Sequence, residues 1–164
     1  MAEVELEVGT LAPNFELPAT TPSGVFSSES LRGAPAVIYF YPKDATPGCT
    51  TQACDFRDHF NAFAEAGIPV IGISPDSLAS HLRFKEKQGL NFVLVADESR
   101  DAARAYGVWQ KKKLYGREYD GIVRTTYLLD ADGVIRHVWK KVRVKGHVPT
   151  VLAAALELQG GSAS

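Results

Sequence analysis

The sequence predicts a three-layer α/β/α sandwich around a mixed β-sheet. Three observations carry this. Short, continuous apolar runs rich in β-branched and aromatic residues, "AVIYFY" at 36–41, "GIPVIGIS" at 67–74 and "NFVLVAD" at 91–97, read as strands buried on both faces. Segments of helical period separate them, so the early strands are parallel with right-handed crossovers. The later stretch "VRTTYLLDADGVIRHVWKKV" at 123–142 reads as two strands joined around Asp132-Gly133, which adds antiparallel members.

Each element has its own signal. The first 34 residues are rich in turn-formers and predict short strands at Phe15–Leu17 and Val25–Phe26. After the 36–41 strand, a helix is expected from Gly48 to Ala66, because Cys49, Ala53, Phe56, Phe60 and Phe63 form one apolar stripe. The next helix covers 75–89, with Asp76 or Ser77 at its N-cap and Gly89 at its end. "ESRDAARAYGV" gives a short helix, and the pattern changes after Val108. A final helix is expected from Val148 to Leu158, after the turn "KGH", with 159–164 as a frayed end. The order fits a thioredoxin fold with an N-terminal extension and an inserted βα unit, in one domain spanning 1–164.

Composition narrows the function. At 164 residues the chain can bury one core without covalent staples. A net charge of −1 gives no general attraction for nucleic acid. Its one basic cluster, Lys111-Lys112-Lys113, reads as a solvated loop or strand end, with an anionic-partner site as the alternative. The acidic start "MAEVELEVGTLAPNF" has neither the apolar core of a signal peptide nor the character of a transit peptide, and no run approaches a membrane span. The expected compartment is the cytoplasm, where a cysteine pair is more often catalytic or metal-binding than structural.

Both cysteines lie in "YPKDATPGCTTQACDFRD". Cys49 follows Pro47-Gly48 and falls in the first turn of the expected helix. Unpaired backbone N–H groups and the positive end of the helix dipole there favour a thiolate over a thiol. Cys54 lies one and a half turns on, roughly 8–9 Å away between Cα atoms. That is beyond the reach of a disulfide while the helix is intact, so a structural bridge is not expected.

"PKDATPGC" at 42–49 resembles the Pro-x-x-x-Thr-x-x-Cys signature of peroxiredoxins, and Cys49-x4-Cys54 resembles the spacing of the Q-type, or bacterioferritin-comigratory, subgroup. "APNFELP" and "VRTTYLLDADGVI" extend the likeness to about residues 8–158. The resemblance implies an atypical two-cysteine, thioredoxin-dependent peroxidase acting on hydrogen peroxide and organic hydroperoxides in antioxidant defence, with no cofactor or metal. It implies that Cys49 attacks the peroxide and that Cys54 resolves the sulfenic acid as an intramolecular disulfide. By the same resemblance Thr46 contacts thiolate and peroxide, Arg124 supplies positive charge, Pro42 shields the pocket, and the Gly48 and Cys49 amides bind peroxide. A thioredoxin-like dithiol would reduce the disulfide. The resemblance to that subgroup implies a monomer more often than a dimer.

Rival readings stand beside these. Cys49 could be a buried small hydrophobe, Cys54 a bystander, Thr46 and Pro42 simple turn residues, and Arg124 a surface residue paired with an acid. Arg57 is a secondary candidate cation. His59, His81, His137 and His147 show no metal-ligand spacing, and one of them as a base for Cys49 would make a hydrolase instead. At the level of the whole protein, the alternatives are a thioredoxin-type disulfide reductase, which would want Cys-x-x-Cys, and a non-enzymatic redox sensor or holdase.

Overall fold

The computed structural model describes residues 6–162. Its central sheet is built from β3 (Ala36–Phe40), β4 (Val70–Ser74), β5 (Val93–Ala96), β8 (Thr125–Leu129) and β9 (Ile135–Trp139), in the order β5-β4-β3-β8-β9. β3, β4 and β5 are parallel, whereas β8 and β9 run antiparallel to their neighbours. Every residue of β3, β4 and β8 is buried, which is why they read as unbroken apolar runs and not as alternations.

Along β3 the pleat sends Ala36, Ile38 and Phe40 to one core and Val37 and Tyr39 to the other, where Tyr41 just beyond the strand joins them. The first core is closed by α4 (Asp101–Ala105), the 3-10 turn Ser28–Leu31 and the antiparallel pair β1 (Glu16–Pro18) and β2 (Val25–Ser27). The second is closed by α1 (Pro47–Asp58), α2 (Phe60–Glu65), α3 (Leu78–Gln88) and α5 (His147–Ser162). This is a thioredoxin fold with a mixed central sheet.

The structure departs from the sequence reading in four places. The helix expected over 48–66 is two helices, broken at His59 (φ −97°, ψ 5°), whose ring Nδ1 lies 2.8 Å from the Asp55 carbonyl oxygen. The stripe survives the break, with Cys49, Ala53, Phe56 and Phe63 all buried. Second, residues 109–122 form a hairpin that the sequence did not announce, β6 (Trp109–Leu114) and β7 (Arg117–Ile122). Its tip, Tyr115-Gly116, has φ of 51° and 77°, the left-handed pair of a type I′ turn. Most of its side chains are at least partly exposed on both faces, so no alternation marks it, and Lys111-Lys112-Lys113 lies within a strand. Third, the helix expected over 75–89 starts only at Leu78; Ser77, one of the two expected caps, accepts from the Ser80 amide, and Gly89 ends the helix as expected, at φ 63°. Fourth, α5 continues past Leu158 to Ser162, and the Gln159 side-chain amide donates to the Ala66 carbonyl. The first five residues and the last two lie outside the described residues.

Candidate active site

Pro47 occupies the first position of α1, where its fixed φ suits the helix and its missing N–H costs nothing. Thr46 caps the helix in extended conformation, and the Thr50 N–H makes the first intrahelical bond to its carbonyl at 2.8 Å. The amides of Gly48 and Cys49 therefore stand ahead of the helical ladder, at the positive end of the dipole. Cys49 is 2% exposed and packs in the core with Tyr39 and Phe56.

Arg124 meets this sulfur from the far side of the chain. It sits just before β8, and that strand's pairing with β3 carries it to the α1 N-terminus. Its Nη2 lies 3.2 Å from Cys49 Sγ, and its Nη1 donates to Gln52 Oε1 at 2.6 Å. A Cβ on Gly48 would stand 3.4 Å from Nη2, in ordinary van der Waals contact, so the guanidinium lies directly against the helix start. The Arg124 carbonyl accepts from the Val142 amide at 3.0 Å, which ties its backbone to the segment after β9.

The loop before α1 is fixed by one buried carboxylate. Asp44 accepts from the Tyr41 hydroxyl at 2.6 Å and the Ser80 hydroxyl at 2.8 Å, and its Oδ2 lies 2.7 Å from His81 Nδ1. The Asp44 amide donates to Asp76 Oδ2 at 2.8 Å. His81 is fully buried, with Nε2 2.9 Å from the Val95 carbonyl oxygen. Burial alone would raise the Asp44 carboxyl; the bonds from His81, Tyr41 and Ser80 bring it below its ordinary value. These contacts hold Ala45 in a left-handed conformation (φ 64°) directly before Thr46.

The structure thus brings Cys49, Gly48 and Arg124 together, with Pro42 and Arg124 lining one cleft. Thr46 is close in sequence, but its hydroxyl donates to the Lys43 carbonyl at 2.9 Å. Cys54 lies on the same intact helix, with Sγ 3.6 Å from Gln88 Oε1, and both cysteines are free. Arg57 turns elsewhere, to Asp58 and the Gln88 carbonyl. The histidines are engaged away from the sulfur: His59 with Asp55, His81 with Asp44, His147 with Thr126, and His137 stacked on Trp139. Sequence reasoning missed Gln52, although its position three residues after Cys49 places it on the neighbouring helical face.

The chain matches the AhpC/TSA family over residues 8–138. It is 48% identical over 147 residues to Peroxiredoxin Bcp of Bacillus subtilis strain 168, covering 90% of this chain and 93% of that one. It is 46% identical to a putative peroxiredoxin bcp of Coxiella burnetii, covering 91% and 98%. The chain belongs to the peroxiredoxins, in the Bcp/PrxQ family. Among solved structures it resembles the Xanthomonas campestris bacterioferritin comigratory protein, with a TM-score of 0.83 and 40% identity over 88% of this chain and 92% of that one.

As a peroxiredoxin the protein is a thiol peroxidase, and its electrostatics suit that chemistry. A permanent guanidinium lies 3.2 Å from a sulfur in the first turn of a helix, an arrangement that favours negative charge developing at that place. The neighbouring His147 stays neutral at pH 7: burial first, and the Arg124 charge second, push it down to about 4. Lys112 is lowered from its ordinary value by burial and by Arg124, with Cys49 pulling the other way. Among the described residues no group of three His, Cys, Asp or Glu side chains could hold a metal ion, and no helix is long and apolar enough to cross a membrane.

Proposed function

We propose that Cys49 is the peroxidatic nucleophile of a two-cysteine cycle. The Cys49 thiolate attacks the terminal oxygen of a hydroperoxide. The S–O bond forms as the O–O bond breaks, and the leaving oxide takes a proton to become water or an alcohol. Arg124 stabilises the thiolate and then the charge that builds on the leaving oxygen. The Gly48 and Cys49 amides hold the peroxide at the helix start. Thr46, with its hydrogen committed to Lys43, offers lone pairs that accept from the peroxide O–H and aim it. Pro42 covers one side of the pocket. The single observation that carries this reading is the 3.2 Å contact between the Arg124 guanidinium and the Cys49 sulfur at the α1 N-terminus.

Resolution requires α1 to open. The Cys54 thiolate attacks the sulfenic acid, an S–S bond forms, and hydroxide departs and is protonated to water. Both sulfurs belong to α1, so the cycle needs no second copy and suits a monomer. A thioredoxin-like dithiol then reduces the bridge by two exchange steps and is itself oxidised. We assign these steps to the cytoplasm.

Intact mass of peroxide-treated protein, with and without thiol blocking, tests the cycle. Wild type should lose two hydrogens and regain them with thioredoxin. Cys54→Ser should gain one oxygen that a dimedone probe traps. Cys49→Ser should do neither; a Cys49→Ser protein that still consumes peroxide would overturn the assignment.

A further inference from the structure

We propose that Arg57 and Gln88 position the Cys54 sulfur and supply the countercharge for its attack on oxidised Cys49. This rests on Cys54 being the residue that resolves the sulfenic acid, and it names the side chains that prepare it. Arg57 is the candidate cation that the Cys49 site leaves unused.

Cys54 and Arg57 both meet Gln88, the last residue of α3. The Cys54 thiol donates to Gln88 Oε1 at 3.6 Å. Arg57 Nη1 donates to the Gln88 carbonyl at 2.6 Å, which satisfies an orphan carbonyl at the negative end of α3. Arg57 follows Cys54 by three residues on α1, so the two side chains share a helix face. Its Nε donates to Asp58 Oδ1 at 3.0 Å. Arg57 is raised above its ordinary value, first by that bond to Asp58 and next by the Cys54 charge. A side-chain amide carries both an acceptor and a donor. A half-turn of the Gln88 amide therefore exchanges an oxygen that accepts from a thiol for an NH2 that donates to a thiolate.

The packing around these contacts decides which half of α1 yields. Phe56 is fully buried and stacks on Tyr39, with ring centroids 4.7 Å apart. The Arg57 carbonyl accepts from Asn91 Nδ2 at 3.4 Å. The Cys54 half of the helix is thus fastened to the core and to the end of α3. The other end is lighter: Pro47, Gly48 and Thr51 are exposed, and Cys49 is the buried residue of the first turn. Unwinding that turn exposes less apolar area than releasing Phe56 would. Cys49 therefore travels, and Cys54 receives it beside Arg57 and Gln88. Cys54 gives its proton to solvent, its thiolate forms the S–S bond as the S–O bond of Cys49 breaks, and the departing hydroxide is protonated to water.

The test is rapid quenching of peroxide-treated protein, with sulfenate formation timed by dimedone trapping and bridge formation by the loss of two hydrogens in intact mass. The readout is the ratio of the two rates within each variant, with urea unfolding to confirm the fold. Arg57→Met should lower the ratio roughly three- to fivefold, the weight of one partly exposed charge, and Arg57→Lys should recover part of the loss. Gln88→Glu, of nearly equal size, sets a carboxylate beside the sulfur and should lower the ratio on the order of tenfold, because like charges then meet. A lingering sulfenic acid meets a second peroxide, so sulfinic acid should appear at lower peroxide concentration in Arg57→Met and Gln88→Glu. A ratio unchanged or raised in these two variants overturns the proposal. Equal losses in Arg57→Lys and Arg57→Met overturn it in favour of packing, and variants that slow only reduction by thioredoxin overturn it in favour of a docking role. If wild type forms no bridge, or Cys54→Ser cycles as wild type does, the two-cysteine cycle fails instead.

Discussion

Replacing Gln52 with leucine isolates the contact that aims the guanidinium. Gln52 is fully buried, its Oε1 accepts from Arg124 Nη1 at 2.6 Å, and its Nε2 has no partner among the described residues. Leucine of similar volume removes an already unsatisfied buried donor, so the fold should lose little stability. What it does remove is a charge-assisted hydrogen bond worth about 1.5–3 kcal/mol. At about 1.4 kcal/mol per decade, full transmission to the transition state slows the peroxide step roughly 10- to 150-fold. Arg124 is only partly buried and water can replace the lost acceptor, which points to the lower end. The assay is stopped-flow oxidation of Cys49 under single-turnover conditions, with urea unfolding as the stability control. Because Gln52 acts through the guanidinium, Gln52→Leu should slow an Arg124→Ala background no further. A rate within twofold of wild type, or a further loss on top of Arg124→Ala, would refute the reasoning.

Three other outcomes are expected. His81→Leu leaves Asp44 with only the Tyr41 and Ser80 hydroxyls and should cost about 1–3 kcal/mol in urea unfolding; a change under about 0.5 kcal/mol would show that the pair does not hold the loop. Gly48→Ala should change the peroxide step by less than about threefold, as the new methyl would meet an Arg124 nitrogen at 3.4 Å, an ordinary van der Waals contact, and a tenfold loss would show that the guanidinium has no room beside the helix start. His147 is neutral in the folded protein down to about pH 4 but titrates near 6.5 when unfolded. The unfolded chain therefore binds the extra proton first, and stability should be full above about pH 6.5 and decline on the order of 1–3 kcal/mol toward pH 4. His147→Gln should flatten that decline, as read from unfolding midpoints across the window.

Local chemistry was legible in the residues themselves. The uninterrupted apolar runs announced β3, β4 and β5, and Pro47-Gly48 ahead of an apolar stripe placed Cys49 at a helix start, because burial on both faces and helix entry leave short-range patterns. The β6–β7 hairpin left none, since it buries little on either face, and the break at His59 left the stripe's spacing intact. The contacts that make the site came only with folding. Arg124 and Cys49 stand 75 positions apart, and His81 and Asp44 37 apart. Pairing of β8 with β3 closes the first distance, and packing of α3 beside the 42–46 loop closes the second. Nothing in either segment alone specifies the other's position, because the sheet register is set by the burial of the whole core.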